Sequence, residues 1–243
     1  MITTTTSADR RHEVSRIEGF SDAVFAFAVT LLVVSLEVPR TFNELWTAMR
    51  GFVAFAICFA MLFQVWWRHH TYFRRYGLED GATKALTGVL LFVVLFYVYP
   101  LKFLWTLIIS QGFANGIVVH LPNGSVEPMI LEHQVPRLFE VYGLGVAAVF
   151  GVFVALYLHA YRHRAALGLT PHEALETRLS VVSNGAVAAV GLLSATIAFV
   201  GGVRSAQPAG FVYFLIGFLE WGIGAYGGRQ KKRLQASTAG TSL

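Results

Sequence analysis

The sequence has little charge and almost no cysteine. Only 14% of its 243 residues are Asp, Glu, Lys or Arg, where a soluble domain carries roughly 25%. Hydrophobic residues make up 55%, and the mean hydropathy is +0.57. This balance leaves no room for a large soluble domain and reads as an integral membrane protein. The single cysteine, Cys58, lies in an apolar run. An intrachain disulfide, a CxxC redox pair and a cysteine-based zinc site are therefore excluded. No P-loop, nucleophile elbow or dinucleotide-binding glycine motif is present, so no enzyme activity, catalytic residue, metal site or cofactor is expected. Residues 1–15 lack the basic, apolar and small-residue order of a signal peptide and are expected to form a short cytoplasmic tail.

What the sequence does have is a series of long apolar runs. The first covers residues 16–37, which at ~1.5 Å per residue make a helix of about 33 Å, enough to cross a hydrocarbon core of ~30 Å. Further runs cover 45–67, 85–101, 141–161, 179–203 and 208–228. The expected fold is an all-α integral membrane protein with six transmembrane helices over residues 16–228, followed by a basic, disordered tail over 229–243. Thr170-Pro171 reads as an N-cap followed by the first helical residue. The one long polar connection, 111–134, contains the turn Pro122-Asn123-Gly124-Ser125 between Val118-Val119 and Val126, consistent with a small hairpin. Asn123-Gly124-Ser125 also matches a glycosylation sequon, and the turn reading is preferred.

The net charge of +5 raises the question of nucleic acid. The positions of the basic residues answer it. Arg10, Arg11 and Arg16 precede the first run, and Arg68, Arg74, Arg75 and Lys84 lie between the second and third. Arg162, Arg164 and Arg178 lie between the fourth and fifth, and Arg229, Lys231, Lys232 and Arg233 follow the sixth. Only Arg40, Arg50, Lys102, Arg137 and Arg204 fall on the opposite side. The positive-inside rule then puts both termini in the cytoplasm, and no nucleic-acid partner is needed.

The first run is more than an anchor. At 100° per residue, Phe27, Thr30, Leu31 and Val34 fall within about 100° of arc, while Asp22 lies about 180° from Leu31. The stripe by itself is also what helix packing or lipid contact would give. Asp22 says more, because a carboxylate at membrane depth costs ~2.5–3.5 kcal/mol and requires a partner. Arg16, Ser21, His69 and His70 are the candidate donors, which predicts a network joining the first and second helices. Two other chemistries have raw material. His69 and His70, with His159 and His163, end two helices and resemble haem or metal ligands, but the neighbouring Arg68, Arg74, Arg75, Arg162 and Arg164 favour contacts with lipid headgroups. Asp22 and Glu220 are the carboxylates a proton-coupled transporter of small ions would use, although Glu220, beside Trp221 in a glycine-rich run, reads as a packed, hydrogen-bonded residue.

Arg16-x3-Phe20-Ser21-Asp22, followed by Thr30-Leu31-Leu32, resembles the signature of the transmembrane protein 175 family of potassium channels. Trp66-x2-His69-x3-Phe73 is similar to that family's second motif. The resemblance implies a multi-pass protein of the cell membrane that conducts monovalent cations, with K+ as the preferred permeant ion. It implies a homotetramer whose first helices line a central pore, with lipid and other copies of the chain as its partners. Carried over, Phe27, Thr30, Leu31 and Val34 are the pore and selectivity rings. Arg16, Phe20, Ser21, Asp22, Trp66 and His69 are then structural supports of the pore helix. No TVGYG filter is present. Two positions depart from the family pattern: Phe27 stands where Ile or Leu is usual, and Thr87 stands where an Asn is usual, as an expected shorter partner for the Asp22 network.

Overall fold

A computed structural model describes residues 15–34, 39–113, 118–120 and 124–240. Its elements are α1 (Arg16–Val34), α2 (Phe42–Tyr76), α3 (Gly81–Phe113), β1 (Val118–His120), β2 (Val126–Pro128), α4 (Val135–Arg162), α5 (Pro171–Gly201), α6 (Ala206–Phe211) and α7 (Leu215–Gly240). Among the described residues, four segments are long and apolar enough to cross a membrane: Phe42–Tyr76, Gly81–Ile109, Glu132–Arg162 and Pro171–Lys232. The last contains both of the final two apolar runs of the sequence. α1 is not among the four over its described length, which carries Arg16, Glu18 and Asp22 in its first two turns.

Local chemistry sets the element boundaries. α2 stops at Tyr76, and Gly77 follows with φ +56°, a left-handed conformation that glycine adopts at a helix C-terminus without a Cβ penalty. α3 then starts behind Asp80, whose Oδ1 accepts the Thr83 N–H at 2.8 Å. It runs through Pro100 to Phe113, well past the expected end at 101. In an apolar solvent the helix is the cheapest way to keep backbone groups paired, so an internal proline is tolerated. α5 opens as expected. Thr170 Oγ1 accepts the Glu173 N–H at 3.3 Å, and Glu173 Oε2 accepts the Thr170 N–H at 2.9 Å, a reciprocal capping box with Pro171 just inside.

The polar connection does form a hairpin. β1 and β2 pair antiparallel, with His120 opposite Val126. Asn123 lies outside the described residues. The expected disordered tail differs from the structure, where α7 continues to Gly240. Its first part is tied down, since Lys231 Nζ donates to Glu176 Oε1 of α5.

The chain divides into two compact units. One comprises Met1–Arg74 and Leu91–Val135, the other Arg75–Leu90 and Pro136–Leu243. In the first, α1 buries Glu18, Ser21, Phe25, Ala28 and Leu32, and α2 buries Ala54, Cys58, Leu62 and His69. Each set recurs every three, four or seven residues, which is one helical face. On α3, Phe92, Phe96, Tyr99 and Phe103 form an exposed apolar face that suits a lipid surround. In the second unit, α4 and α5 touch backbone to backbone. A Cβ on Gly143 would lie 2.5 Å from the Gly191 carbonyl oxygen, and one on Gly191 would lie 2.7 Å from that of Gly143. Ala147 and Ala195 follow four residues later on the same faces, the small-xxx-small pattern by which membrane helices approach closely.

Gly191→Val should force α4 and α5 apart and cost ~1–3 kcal/mol, read as a fall of several degrees in the thermal midpoint of the detergent-solubilised protein. Gly151→Ala, in the interior of α4 with nothing near its Cβ, should not lower the midpoint and should raise it slightly, because Ala favours the helix by ~0.5–1 kcal/mol.

Candidate functional site

The site is built on α1 and begins with its buried face. Glu18 and Asp22 stand one turn apart on α1, and Trp66 and His70 stand one turn apart on α2. Trp66 Nε1 donates to Asp22 Oδ1 at 2.7 Å. His70 Nδ1 lies 3.2 Å from Glu18 Oε1. The indole and imidazole stack, with centroids 5.4 Å apart and planes 17° from parallel. The later residue of one pair meets the earlier residue of the other, so the two helices run antiparallel here. A hydrogen bond from an indole N–H to a carboxylate contributes ~1.5–3 kcal/mol, and it gives Asp22 the donor that a carboxylate in apolar surroundings requires.

Around this pair the packing is aromatic. His69 is fully buried, with its ring 5.9 Å from that of Phe25 and 4.7 Å from that of Phe73. Its surroundings are those of a packed aromatic cluster. Ser21 is also fully buried, and its hydroxyl donates to the Ile17 carbonyl of its own helix at 2.7 Å. Toward the other end of α1, Lys102 Nζ of α3 donates to the Leu32 carbonyl at 3.0 Å. A cation there suits the negative end of the helix dipole.

The exposed face of α1 carries Phe27, which is 56% exposed, and Thr30. Leu31 is half-buried beside them, and Val34 closes the described helix. Thr30 Oγ1 donates to the Ala26 carbonyl at 2.9 Å. The proton is therefore spent within the helix, and the oxygen lone pairs are free to accept from outside. Phe20, expected among the supports, lies on this face as well. It is 59% exposed and stands only about 20° round the helix from Phe27. Arg16 is exposed at the first position of α1.

Several expected partners of Asp22 are engaged elsewhere. Ser21 bonds within its own helix, His70 faces Glu18, and Trp66 fills the donor role. Thr87, in the second unit, is buried, and its hydroxyl makes no hydrogen bond among the described residues. Glu18 and Lys102 were given no role by the sequence. The available signal for Glu18 was its i,i+4 spacing to Asp22, matched by Trp66 and His70. For Lys102 it was an isolated charge after a long apolar run. In the second unit, Glu220 of α7 accepts a hydrogen bond from Ser183 Oγ of α5 at 2.6 Å, as expected for a packed glutamate.

The family model described as the endosomal/lysosomal potassium channel TMEM175 matches residues 16–97, which hold both halves of this site. A protein of Marivirga tractuosa named as a potassium channel is 41% identical over 210 residues, covering 85% of this chain and 84% of its own. A crystal structure of a variant of the potassium channel MtTMEM175, in complex with a nanobody–MBP fusion, matches with a TM-score of 0.76 and 36% identity. That match covers 90% of this chain and 95% of the other. The crystal structure of a lysosomal potassium-selective channel TMEM175 homologue from Chamaesiphon minutus shares the fold, with a TM-score of 0.54 and 23% identity over 86% of this chain and 96% of its own.

Trp66→Phe, which keeps an aromatic ring but removes the indole N–H, should destabilise the protein by ~2 kcal/mol. In an Asp22→Leu background the same change should cost clearly less. Thermal unfolding of the four proteins of this cycle checks it, and equal costs in both backgrounds would mean that the bond contributes nothing.

Proposed function

The chain belongs to the TMEM175 family, and from that membership we propose that it is a potassium-preferring cation channel of the cell membrane, a homotetramer in which α1 of each subunit lines a central pore. The observation that carries this reading is the orientation of α1. The helix turns Glu18, Ser21, Phe25, Ala28 and Leu32 into its own unit and leaves Phe27 and Thr30 uncovered. Bulky apolar side chains on a free face suit lipid as well as a pore, and what an anchor would not need is the Thr30 hydroxyl among them, on a helix whose rotation is fixed by the Asp22–Trp66 hydrogen bond. Four copies around an axis would make rings of Phe27, Thr30, Leu31 and Val34. Six spans with both termini in the cytoplasm agree with the distribution of Lys and Arg.

The physics of such a pore follows from its side chains. Apolar rings form a constriction that water leaves readily, so an ion crosses only by losing part of its hydration shell. K+ holds its shell less tightly than Na+ and crosses at lower cost. A ring of Thr30 oxygens, each with its proton given to Ala26, replaces part of what is lost. Selectivity of this kind is weaker than that of a backbone carbonyl filter, and the phenyl rings of Phe27 make the narrowest point bulkier than an aliphatic ring would. No bound cofactor enters this scheme. Trp66, Asp22, His70 and Glu18 hold the rotation of the helix and do not touch the ion.

Reconstitution into liposomes with a K+ gradient tests the reading. Passive flux that follows the membrane potential is expected. Flux that requires a proton gradient would favour a transporter using Asp22 and Glu220, and the absence of flux would overturn the channel. Thr30→Ala should lower the K+ to Na+ permeability ratio by roughly fivefold, the equivalent of ~1 kcal/mol for one lost hydroxyl contact. An unchanged ratio would remove Thr30 from the selectivity machinery.

A further inference from the structure

In the second unit, three groups that the channel reading does not use converge. Asp80 precedes α3, His159 lies in the last turn of α4, and His163 follows it by four residues. Their ligand atoms all lie within 4.8 Å of one another. We propose that Asp80, His159 and His163 form a binding site for a divalent transition-metal ion of the zinc class, tying the start of α3 to the end of α4.

Three features of the geometry argue for a ligand set rather than a chance meeting. First, the Asp80 carboxylate is divided between two tasks. Oδ1 caps α3 by accepting the Thr83 N–H, and Oδ2 points to His159 Nε2 at 2.5 Å. The cap thus aims the second oxygen and holds it in place. Second, His163 Nδ1 lies 3.0 Å from the His159 carbonyl oxygen. A carbonyl can only accept, so that bond fixes the proton on Nδ1 and leaves the lone pair on Nε2. A second bond of this kind orients metal-bound histidines in general. Third, the two imidazoles stand on one face, with centroids 4.4 Å apart, and all three groups are reachable from solution, since the Asp80 and His159 side chains are 41% and 18% exposed.

The donor set selects the metal. Two imidazole nitrogens and one carboxylate oxygen suit zinc and its neighbours better than magnesium or calcium, which prefer all-oxygen shells. Bonds of ~2.0–2.1 Å at tetrahedral angles place donors about 3.3 Å apart. His159 and Asp80 would open slightly and His163 would close slightly, within the reach of side-chain rotation. Water would complete the coordination. The nearby Arg164 guanidinium is engaged with the Tyr161 carbonyl at 3.2 Å and lies over the Tyr161 ring.

Calorimetric titration of Zn2+ into the full-length, detergent-solubilised protein, with any histidine tag removed, tests the site independently of ion conduction. One saturable equivalent per chain is expected. His163→Ala and Asp80→Ser, the second of which keeps an N-cap residue, should each weaken binding at least roughly tenfold. His172→Ala, at an exposed histidine outside the cluster, should bind as the wild type does. Co2+ should give a visible absorption band that His163→Ala abolishes. The absence of saturable Zn2+ binding, or wild-type affinity in either His163→Ala or Asp80→Ser, would overturn the proposal and leave His159 and Asp80 as a simple ion pair.

Discussion

The packing of α1 depends on one contact, the hydrogen bond from the Trp66 indole to the Asp22 carboxylate. It does not act alone, because His70 and Glu18 repeat the meeting one turn away. Two cross-links one turn apart fix a helix against both sliding and rotation. A slip by one residue would swing every side chain by about 100° and leave a carboxylate in apolar surroundings without its donor. The cost of that error is what holds the register.

Once rotation is fixed, the rest of α1 has no freedom. Phe25, Ala28 and Leu32 must turn inward, and Phe27 and Thr30 must turn outward. Lys102 secures the far part of the helix through the Leu32 carbonyl. The outward face therefore results from polar contacts on the inward face. The exposed residues of α1 and the residues that place them lie on opposite sides of one helix.

The second unit applies similar chemistry to other ends. Glu176 of α5 gathers Arg75 and Lys231, Tyr76 meets Thr177 at 2.8 Å, and Ser183 donates to Glu220. Between helices in an apolar solvent there is little hydrophobic gain from association. Close approach at Gly143 and Gly191 supplies dispersion contact, and the polar pairs supply specificity. Asp80, which serves a helix cap and a histidine at once, shows how few charges such a protein uses and how many partners each acquires.

Much was legible in the sequence because it follows from local rules. The membrane character, the N-cap at Thr170 and the hairpin around Val118 and Val126 each depend on neighbours a few residues away. The angular separation of Asp22 from the Phe27–Thr30 stripe is likewise a property of one helix. What the sequence left open were matters of distance along the chain. It offered Asp22 several donors, and only the tertiary structure chose Trp66 and placed His70 beside Glu18. It showed His159 and His163 as a pair, but could not bring Asp80, 79 residues away, to meet them. Periodicity along one helix is written in the sequence, whereas the choice among partners on different helices depends on which faces pack, and that is settled only when the chain folds.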